Sequence, residues 1–175
     1  MKSISFVVGG CRSGKSSKAL ELAEGFRSAR RIFIATCVPQ DEEMRMRVHR
    51  HKAERDNSWH TVEAPLRLPQ TLSELGRSGS VLLVDCLTLW ISNLLLETEQ
   101  IDQIEIHINQ LVETLNQTAC PVVLVSNEVG TGIVPENRLA RLFRDAAGMA
   151  NQRVAQCSDQ VIWMVAGIPV QIKVP

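Results

Sequence analysis

Residues 9–16 read Gly9-Gly10-Cys11-Arg12-Ser13-Gly14-Lys15-Ser16, a G-x-x-x-x-G-K-S spacing. An apolar run precedes it and a helical pattern follows it. Glycines at this spacing let successive backbone N–H groups turn inward around an anion. The start of the following helix adds unpaired N–H groups and the positive end of its dipole. Lys15 is then placed to reach the outer phosphates of a nucleoside triphosphate, and the Ser16 hydroxyl to ligate Mg2+. Ser13 and Ser17 read as bystanders to that chemistry, and Arg12 faces either phosphate or solvent. The rival is a glycine-rich turn with a stray lysine, which would not need the strand–loop–helix setting.

A phosphate loop of this kind needs an acid to hold the metal. Asp85 ends the apolar run Val81-Leu82-Leu83-Val84, so it sits at the C-terminal rim of a sheet, where open α/β sheets bind ligands. Its alternative role is to cap a helix starting at Leu87. A third rim segment, Val125-Ser126-Asn127-Glu128-Val129-Gly130-Thr131-Gly132, follows another apolar run. Asn127 and Glu128 either orient a nucleophile or sense a γ-phosphate, or they belong to a polar connecting loop.

Residues 41–55 read DEEMRMRVHRHKAER, a charge-dense stretch with a helical pattern. At about 3.6 residues per turn, Met44, Val48, His51 and Arg55 share one face and His49 falls opposite. His51 is therefore the inward histidine if the helix packs by Met44 and Val48. An imidazole aimed at a nucleotide serves as a base, a phosphate donor group or a nucleophile; the alternative is a solvated side chain. His60 and His107 lack such a setting and read as structural or surface residues. Trp59–Pro65 has the composition of a short strand that would bring Glu63 towards the site.

Alternating strands and helices must position these groups. Strands are expected at Ile4–Val8, Arg31–Thr36, Val81–Asp85, Val122–Ser126 and Val161–Val165. Each is a continuous apolar run, which suits a parallel sheet covered on both faces. Helical stripes run through Ala19–Phe26, Leu87–Leu95, Ile101–Leu115 and Leu139–Val154, with Pro135 and Glu136 as the start signal of the last. The sequence VIWMVAG-IP-VQIKV reads as a closing hairpin, with Val170–Val174 antiparallel at the sheet edge. The expected architecture is a single α/β domain spanning residues 1–175, with a mainly parallel sheet, flanking helices and an antiparallel C-terminal edge strand.

Composition narrows the function. The chain has 175 residues, with 19 Lys+Arg against 19 Asp+Glu, so it lacks the basic excess of a nucleic-acid footprint. Aromatics are 4% and Tyr is missing, which removes a base-stacking surface. No run approaches a membrane span, and the N-terminus does not read as a signal peptide. Cys11, Cys37, Cys86, Cys120 and Cys157 are scattered without a C-x-x-C pair, as expected for reduced thiols in the cytoplasm. Three classes remain: a nucleotide-dependent transferase, a monofunctional small-molecule kinase, and a nucleotide switch or RecA-like ATPase. A guanine-specific switch would carry N-K-x-D, which the chain lacks.

Together, GGCRSGKS, RIFIAT, DEEMRMRVHRHK, WHTVEAP, LLVDCLTLWISNLL and the long VSNEVG…NQRVAQCSDQ block resemble the bifunctional adenosylcobinamide kinase / adenosylcobinamide-phosphate guanylyltransferase family. The resemblance spans nearly the whole chain, and the last block is far more specific than the phosphate loop. It implies a RecA-like P-loop fold, a homotrimer, and the substrates ATP, GTP, adenosylcobinamide and adenosylcobinamide phosphate. It implies Mg2+, and phosphorylation of adenosylcobinamide followed by GMP transfer through a guanylyl-histidine.

By the same resemblance His51 is the guanylylated residue, within Arg47-Val48-His49-Arg50-His51-Lys52, with His49 the competing assignment. Gly9, Gly10, Cys11, Arg12, Ser13, Gly14, Lys15 and Ser16 cradle the triphosphate. Ala35, Thr36 and Cys37, and Lys52, Ala53 and Glu54, flank it; Glu63 and Asp85 face the nucleotide. Two departures stand out. Arg55-Asp56-Asn57-Ser58-Trp59 replaces R-P-x-x-W and loses the proline's fixed φ. Cys11 replaces a common alanine, which exposes the loop to thiol reagents.

Overall fold

The computed structural model describes residues 2–39, 41–53 and 55–174; the side chains of Arg47, Arg50, His51 and Ala53 also lie outside what is described. The strands are β1 (Ser3–Gly9), β2 (Arg30–Ala35), β3 (Trp59–Glu63), β4 (Ser80–Asp85), β5 (Pro121–Asn127), β6 (Gln160–Val165) and β7 (Ile168–Lys173). The helices are α1 (Lys15–Glu24), α2 (Glu42–Ala53), α3 (Leu68–Leu75), α4 (Leu87–Glu97), α5 (Ile101–Gln117) and α6 (Arg138–Cys157). One seven-stranded sheet runs in the order β3-β2-β4-β5-β1-β6-β7. Its pairings are parallel except β6 with β7.

The continuous apolar runs become the inner strands because both sheet faces are covered. One face packs against α3, α4, α5 and α6, around Phe6, Ile34, Leu82, Trp90, Ile108 and Ala150. The other face holds a smaller core, around Val7, Phe33, Leu83, Val123 and Met164. Among the described residues, α1 supplies most of its helical cover, through Ala19, Ala23 and their half-buried neighbours. This imbalance leaves the β2–β3 part of that face thinly covered.

The limits of β1, β2, β4, β5 and β6 fall within a residue of those read from the sequence and β3 stops at Glu63, two residues before Pro65, but three features differ more. The hairpin turns at Ala166 and Gly167, both at positive φ (51° and 84°), so β7 begins at Ile168 rather than Val170. Two residues in the left-handed region match the twist of a tight hairpin, and Ile168-Pro169 are thereby freed to pair as strand. Helix α6 begins at Arg138, not at Pro135-Glu136. Asn137 caps it, its side chain accepting the Ala140 N–H at 3.0 Å. Helix α3 has no counterpart among the expected helices; it is only eight residues long, with Pro69 in its first turn. A two-turn helix gives too short a stripe to register as a period.

The α2 expectation also changes. The helix ends at Ala53, so Arg55 lies beyond it rather than on the Met44/Val48 face. Met44 and Val48 are only half-buried, and none of the described α2 side chains is buried. The amphipathic argument therefore has little packing behind it.

Candidate functional site

Strand β1 runs into the loop and stops where its neighbours stop. Gly9 pairs with Asn127 of β5 and Met164 of β6, so three strand ends meet at the loop. Met164's carbonyl lies so near that a Cβ on Gly9 would approach it to 2.5 Å. Gly14 takes φ +90° and stands at the head of α1 without a side-chain cap. The first amides of α1 are thus left to an outside acceptor. Ser13 is buried with its hydroxyl unpartnered, and its carbonyl accepts the Gly167 N–H at 3.2 Å, tying the loop to the hairpin. Cys11 and Arg12 are exposed at the tip, with Arg12 at φ 53°.

Lys15 is buried, and its Nζ donates to the Gly10 carbonyl at 2.7 Å. Desolvation pushes its pKa down, and the nearby Cys86, Asp85 and Cys11 oppose that shift. The ammonium is therefore held by the loop it serves.

The second wall comes from register. Ala35 pairs with Glu63 on one side and Asp85 on the other. Paired residues point to one face, so Glu63, Ala35 and Asp85 form a row at the rim on the α1 side. Below them lie Thr61, Phe33 and Leu83. Asp85 does not cap α4: Cys86 occupies that position and makes no side-chain cap bond. The carboxylate instead lines a cavity together with Ser16.

Thr36 and Cys37 follow the row. Thr36 is buried, donating its hydroxyl to the Cys86 carbonyl (2.7 Å) and accepting the Cys86 N–H (2.8 Å). Asn93 donates to the carbonyls of Thr36 (2.8 Å) and Pro65 (3.0 Å). These bonds clamp the β2 and β4 exits together. Burial, and the Asp85 charge, raise the pKa of the Cys37 thiol.

The loop after β5 is pinned. Thr88 Oγ1 accepts the Asn127 N–H at 2.7 Å and its amide at 3.3 Å, and the Glu128 N–H donates to the Gly9 carbonyl at 3.0 Å. Glu128 Oε1 accepts the Gly130 N–H at 2.5 Å, and Arg144 holds the Gly130 carbonyl at 2.5 Å. Asn151 donates to the Asn127 carbonyl at 3.1 Å. Asn127 and Glu128 thus anchor this loop to the phosphate loop.

Helix α2 carries both histidines on the β2–β3 connection. His49 is exposed, as is Lys52. The side chains of His51 and Ala53, and Glu54 altogether, lie outside the described residues. His60 is exposed on β3, and His107 is half-buried on α5.

Sequence reasoning missed several cavity residues. Ser17, Leu20, Glu21 and Glu24 of α1 line it, with Phe33, Leu83 and Arg55. Arg55 places its guanidinium 3.5 Å from the centre of the Phe33 ring. The i, i+3, i+4, i+7 spacing from Ser17 to Glu24 is the one signal that pointed to a shared face.

A family model described as cobinamide kinase / cobinamide phosphate guanyltransferase matches residues 5–172. The chain is 41% identical over 167 residues to the bifunctional adenosylcobalamin biosynthesis protein CobP of Pseudomonas aeruginosa, covering 95% of each chain. It is 40% identical over 179 residues to the bifunctional adenosylcobalamin biosynthesis protein CobU of Salmonella typhimurium, covering 95% of this chain and 98% of that one. A KaiC-like protein, PH0186 of Pyrococcus horikoshii, gives a TM-score of 0.49 at 14% identity over 92% of this chain and 70% of its own; that likeness adds nothing to the fold described above. The family match over nearly the whole length, with relatives alike from end to end, means that the chain belongs to the cobinamide kinase / cobinamide phosphate guanyltransferase family.

Proposed function

We propose that this protein phosphorylates adenosylcobinamide with ATP or GTP and then transfers GMP from GTP to adenosylcobinamide phosphate, giving adenosylcobinamide-GDP. The observation that carries the reading is that the Gly9–Ser16 loop and the Asp85 row meet at one rim of the sheet and line one cavity, with helix α2 leaving the same end of β2. The names of the relatives, both bifunctional proteins of adenosylcobalamin biosynthesis, support it.

In the kinase step the aminopropanol hydroxyl of the acceptor attacks the γ-phosphorus. The bond to the β–γ bridging oxygen breaks, the nucleoside diphosphate leaves, and the hydroxyl proton passes to solvent or a nearby base. In the transferase step an imidazole nitrogen of His51 attacks the α-phosphorus of GTP, and pyrophosphate leaves. A phosphate oxygen of adenosylcobinamide phosphate then attacks the guanylyl phosphorus, the P–N bond breaks, and the imidazole is restored. Splitting the transfer in two gives ping-pong kinetics. Lys15 and the α1 amides hold the phosphates, and positioning dominates such displacements. Ser16 and Asp85 supply one hydroxyl and one carboxylate to the same cavity, a donor set suited to Mg2+, which neutralises phosphate charge when bound.

The whole chain acts as one domain in this reading. A homotrimer belongs to it, supported by the exposed apolar surface of Trp163, Val165, Ile168, Val170 and Ile172 on the paired strands β6 and β7. Cytoplasmic location is supported by five free cysteines.

Incubation with GTP labelled at the α-phosphorus tests the reading. Acid-labile, base-stable label should load the wild type and vanish in His51→Ala. Full labelling of His51→Ala, with loss in His49→Ala, would move the site to His49. Lys15→Ala should impair nucleotide use in both reactions, and two intact activities would refute the shared cradle.

A further inference from the structure

Three carboxylates mark strand exits at the rim that carries the phosphate loop. Glu63 ends β3, Asp85 ends β4, and Glu128 directly follows β5. The sheet runs β3-β2-β4-β5-β1 on this side. Adjacent strands lie about 4.8 Å apart, so these exits stand about 19 Å, about 10 Å and about 5 Å from β1. Of the three, Glu128 alone leaves a strand paired directly with β1. The kinase step described above releases a hydroxyl proton at the γ-phosphorus. Asp85 is committed to the metal, and Glu63 stands on the far edge strand.

We propose that Glu128 is the general base of the kinase step. The inference rests on the function proposed above and assigns a group which that reading leaves open. The O–H bond of the acceptor breaks, and its proton moves to Glu128 Oε2. The oxygen bonds to the γ-phosphorus, and the nucleoside diphosphate leaves with the bridging electron pair. Glu128 then returns the proton to solvent. A base serves only where it is held in position. Glu128 is half-buried and fixed at both ends. Its N–H donates to the Gly9 carbonyl at 3.0 Å, and its Oε1 accepts the Gly130 N–H at 2.5 Å. Asn127 before it is held by Thr88 and Asn151. Arg144 directs its hydrogen bond to the Gly130 carbonyl rather than to the carboxylate. The tie to Gly130 does not account for the charge, because a neutral glutamine oxygen accepts the same N–H. A carboxylate beside a triphosphate repels it. Proton abstraction is the role that needs the charge.

The loop also says which phosphate Glu128 serves. Lys15 is the group that reaches the outer phosphates. Its Nζ rests on the Gly10 carbonyl at 2.7 Å, one residue on from the carbonyl that the Glu128 N–H holds. Glu128 therefore stands at the γ end of the cradle. The guanylyl steps have no use for it. A neutral imidazole attacks with a lone pair, and the phosphate that accepts GMP is already an anion. Neither displacement has a hydroxyl proton to remove. One cradle thus serves two reactions, with Glu128 needed for the transfer at γ and not for the transfer at α.

The test compares full-length wild type and Glu128→Gln in two assays on the same preparations. One follows transfer from γ-labelled ATP to adenosylcobinamide, and the other follows loading of the enzyme from α-labelled GTP. Glutamine keeps an acceptor for the Gly130 N–H and removes only the basic oxygen. The kinase kcat should fall about a hundredfold or more, the range a positioned base supplies. KM for ATP should stay the same or fall, since a repulsive charge is gone. Guanylyl loading should stay near the wild-type rate, which also shows that the shared phosphate loop is folded. Glu136→Gln, which removes an exposed carboxylate from the same loop, should keep both activities. Equal losses in the two assays would make Glu128 a brace of the phosphate loop and overturn the proposal. So would a Glu128→Gln kinase rate close to that of the wild type. Wild type that never phosphorylates adenosylcobinamide would sink the proposed function and the base together.

Discussion

Gly9 and Gly10 are adjacent and look equivalent in the sequence, yet the structure assigns them different work. Neither has φ in the left-handed region, so backbone freedom is not the reason for either. Gly9 is buried between two strands, and a Cβ there would lie 2.5 Å from the Met164 carbonyl oxygen and 2.8 Å from Ser13 Oγ. The first of these is backbone of the paired strand β6, so relief requires the β1–β6 ladder to shift. A Cβ on Gly10 meets no atom within 4 Å. Overpacking of this kind costs about 1–3 kcal/mol. For a chain of this size each kcal/mol moves Tm by about 2–4 °C. Gly9→Ala should therefore melt some 2–12 °C below wild type, and Gly10→Ala within about 1 kcal/mol of it. Differential scanning calorimetry without nucleotide isolates folding from catalysis. Equal shifts in the two variants, or a Gly9→Ala melt that matches wild type, would refute the close-approach reasoning.

Three other outcomes follow from the same geometry. Thr36→Val keeps shape but strands the buried N–H and carbonyl of Cys86; it should cost about 2–4 kcal/mol in urea unfolding, and Thr36→Ser should restore most of it. Burial pushes the Cys86 thiol from 9.0 up to about 12. Its contribution to stability is therefore present below pH 9 and is lost as pH rises towards 12, because the unfolded thiol releases its proton first. Cys86→Ala should flatten that alkaline fall in a pH series of unfolding curves; an unchanged slope would assign it to other groups. Cys11 is exposed while Cys86 and Cys120 are buried, so alkylation followed by peptide mapping should modify Cys11 well before either, and bound nucleotide should slow it.

The phosphate loop was legible because its chemistry is local. Eight consecutive residues make the turn, present their own amides and start the helix, so spacing and function coincide. Strand β4 was legible for a similar reason, since a carboxylate closing a run of buried apolar residues has to emerge at the sheet rim. Helix α2 shows where this ends. Its charge-rich pattern predicts a helix, but only packing decides which face turns inward, and its described side chains make little of it. The helical-face argument and the resemblance both point to His51, whose side chain lies outside the described residues.

By itself the sequence determined the alternation of buried strands and amphipathic helices, the anion cradle at Gly9–Ser16 and the family. These depend on residues near one another in the chain, or on motifs long enough to be specific. Only the tertiary structure decided the row Glu63–Ala35–Asp85, the Thr36–Cys86 clamp, the different burdens of Gly9 and Gly10, and the cleft between α1 and Arg55. Each joins residues tens of positions apart or rests on a fit of tenths of an ångström. Such relations are set by strand register and by which sheet face a helix covers, and no local spacing encodes either.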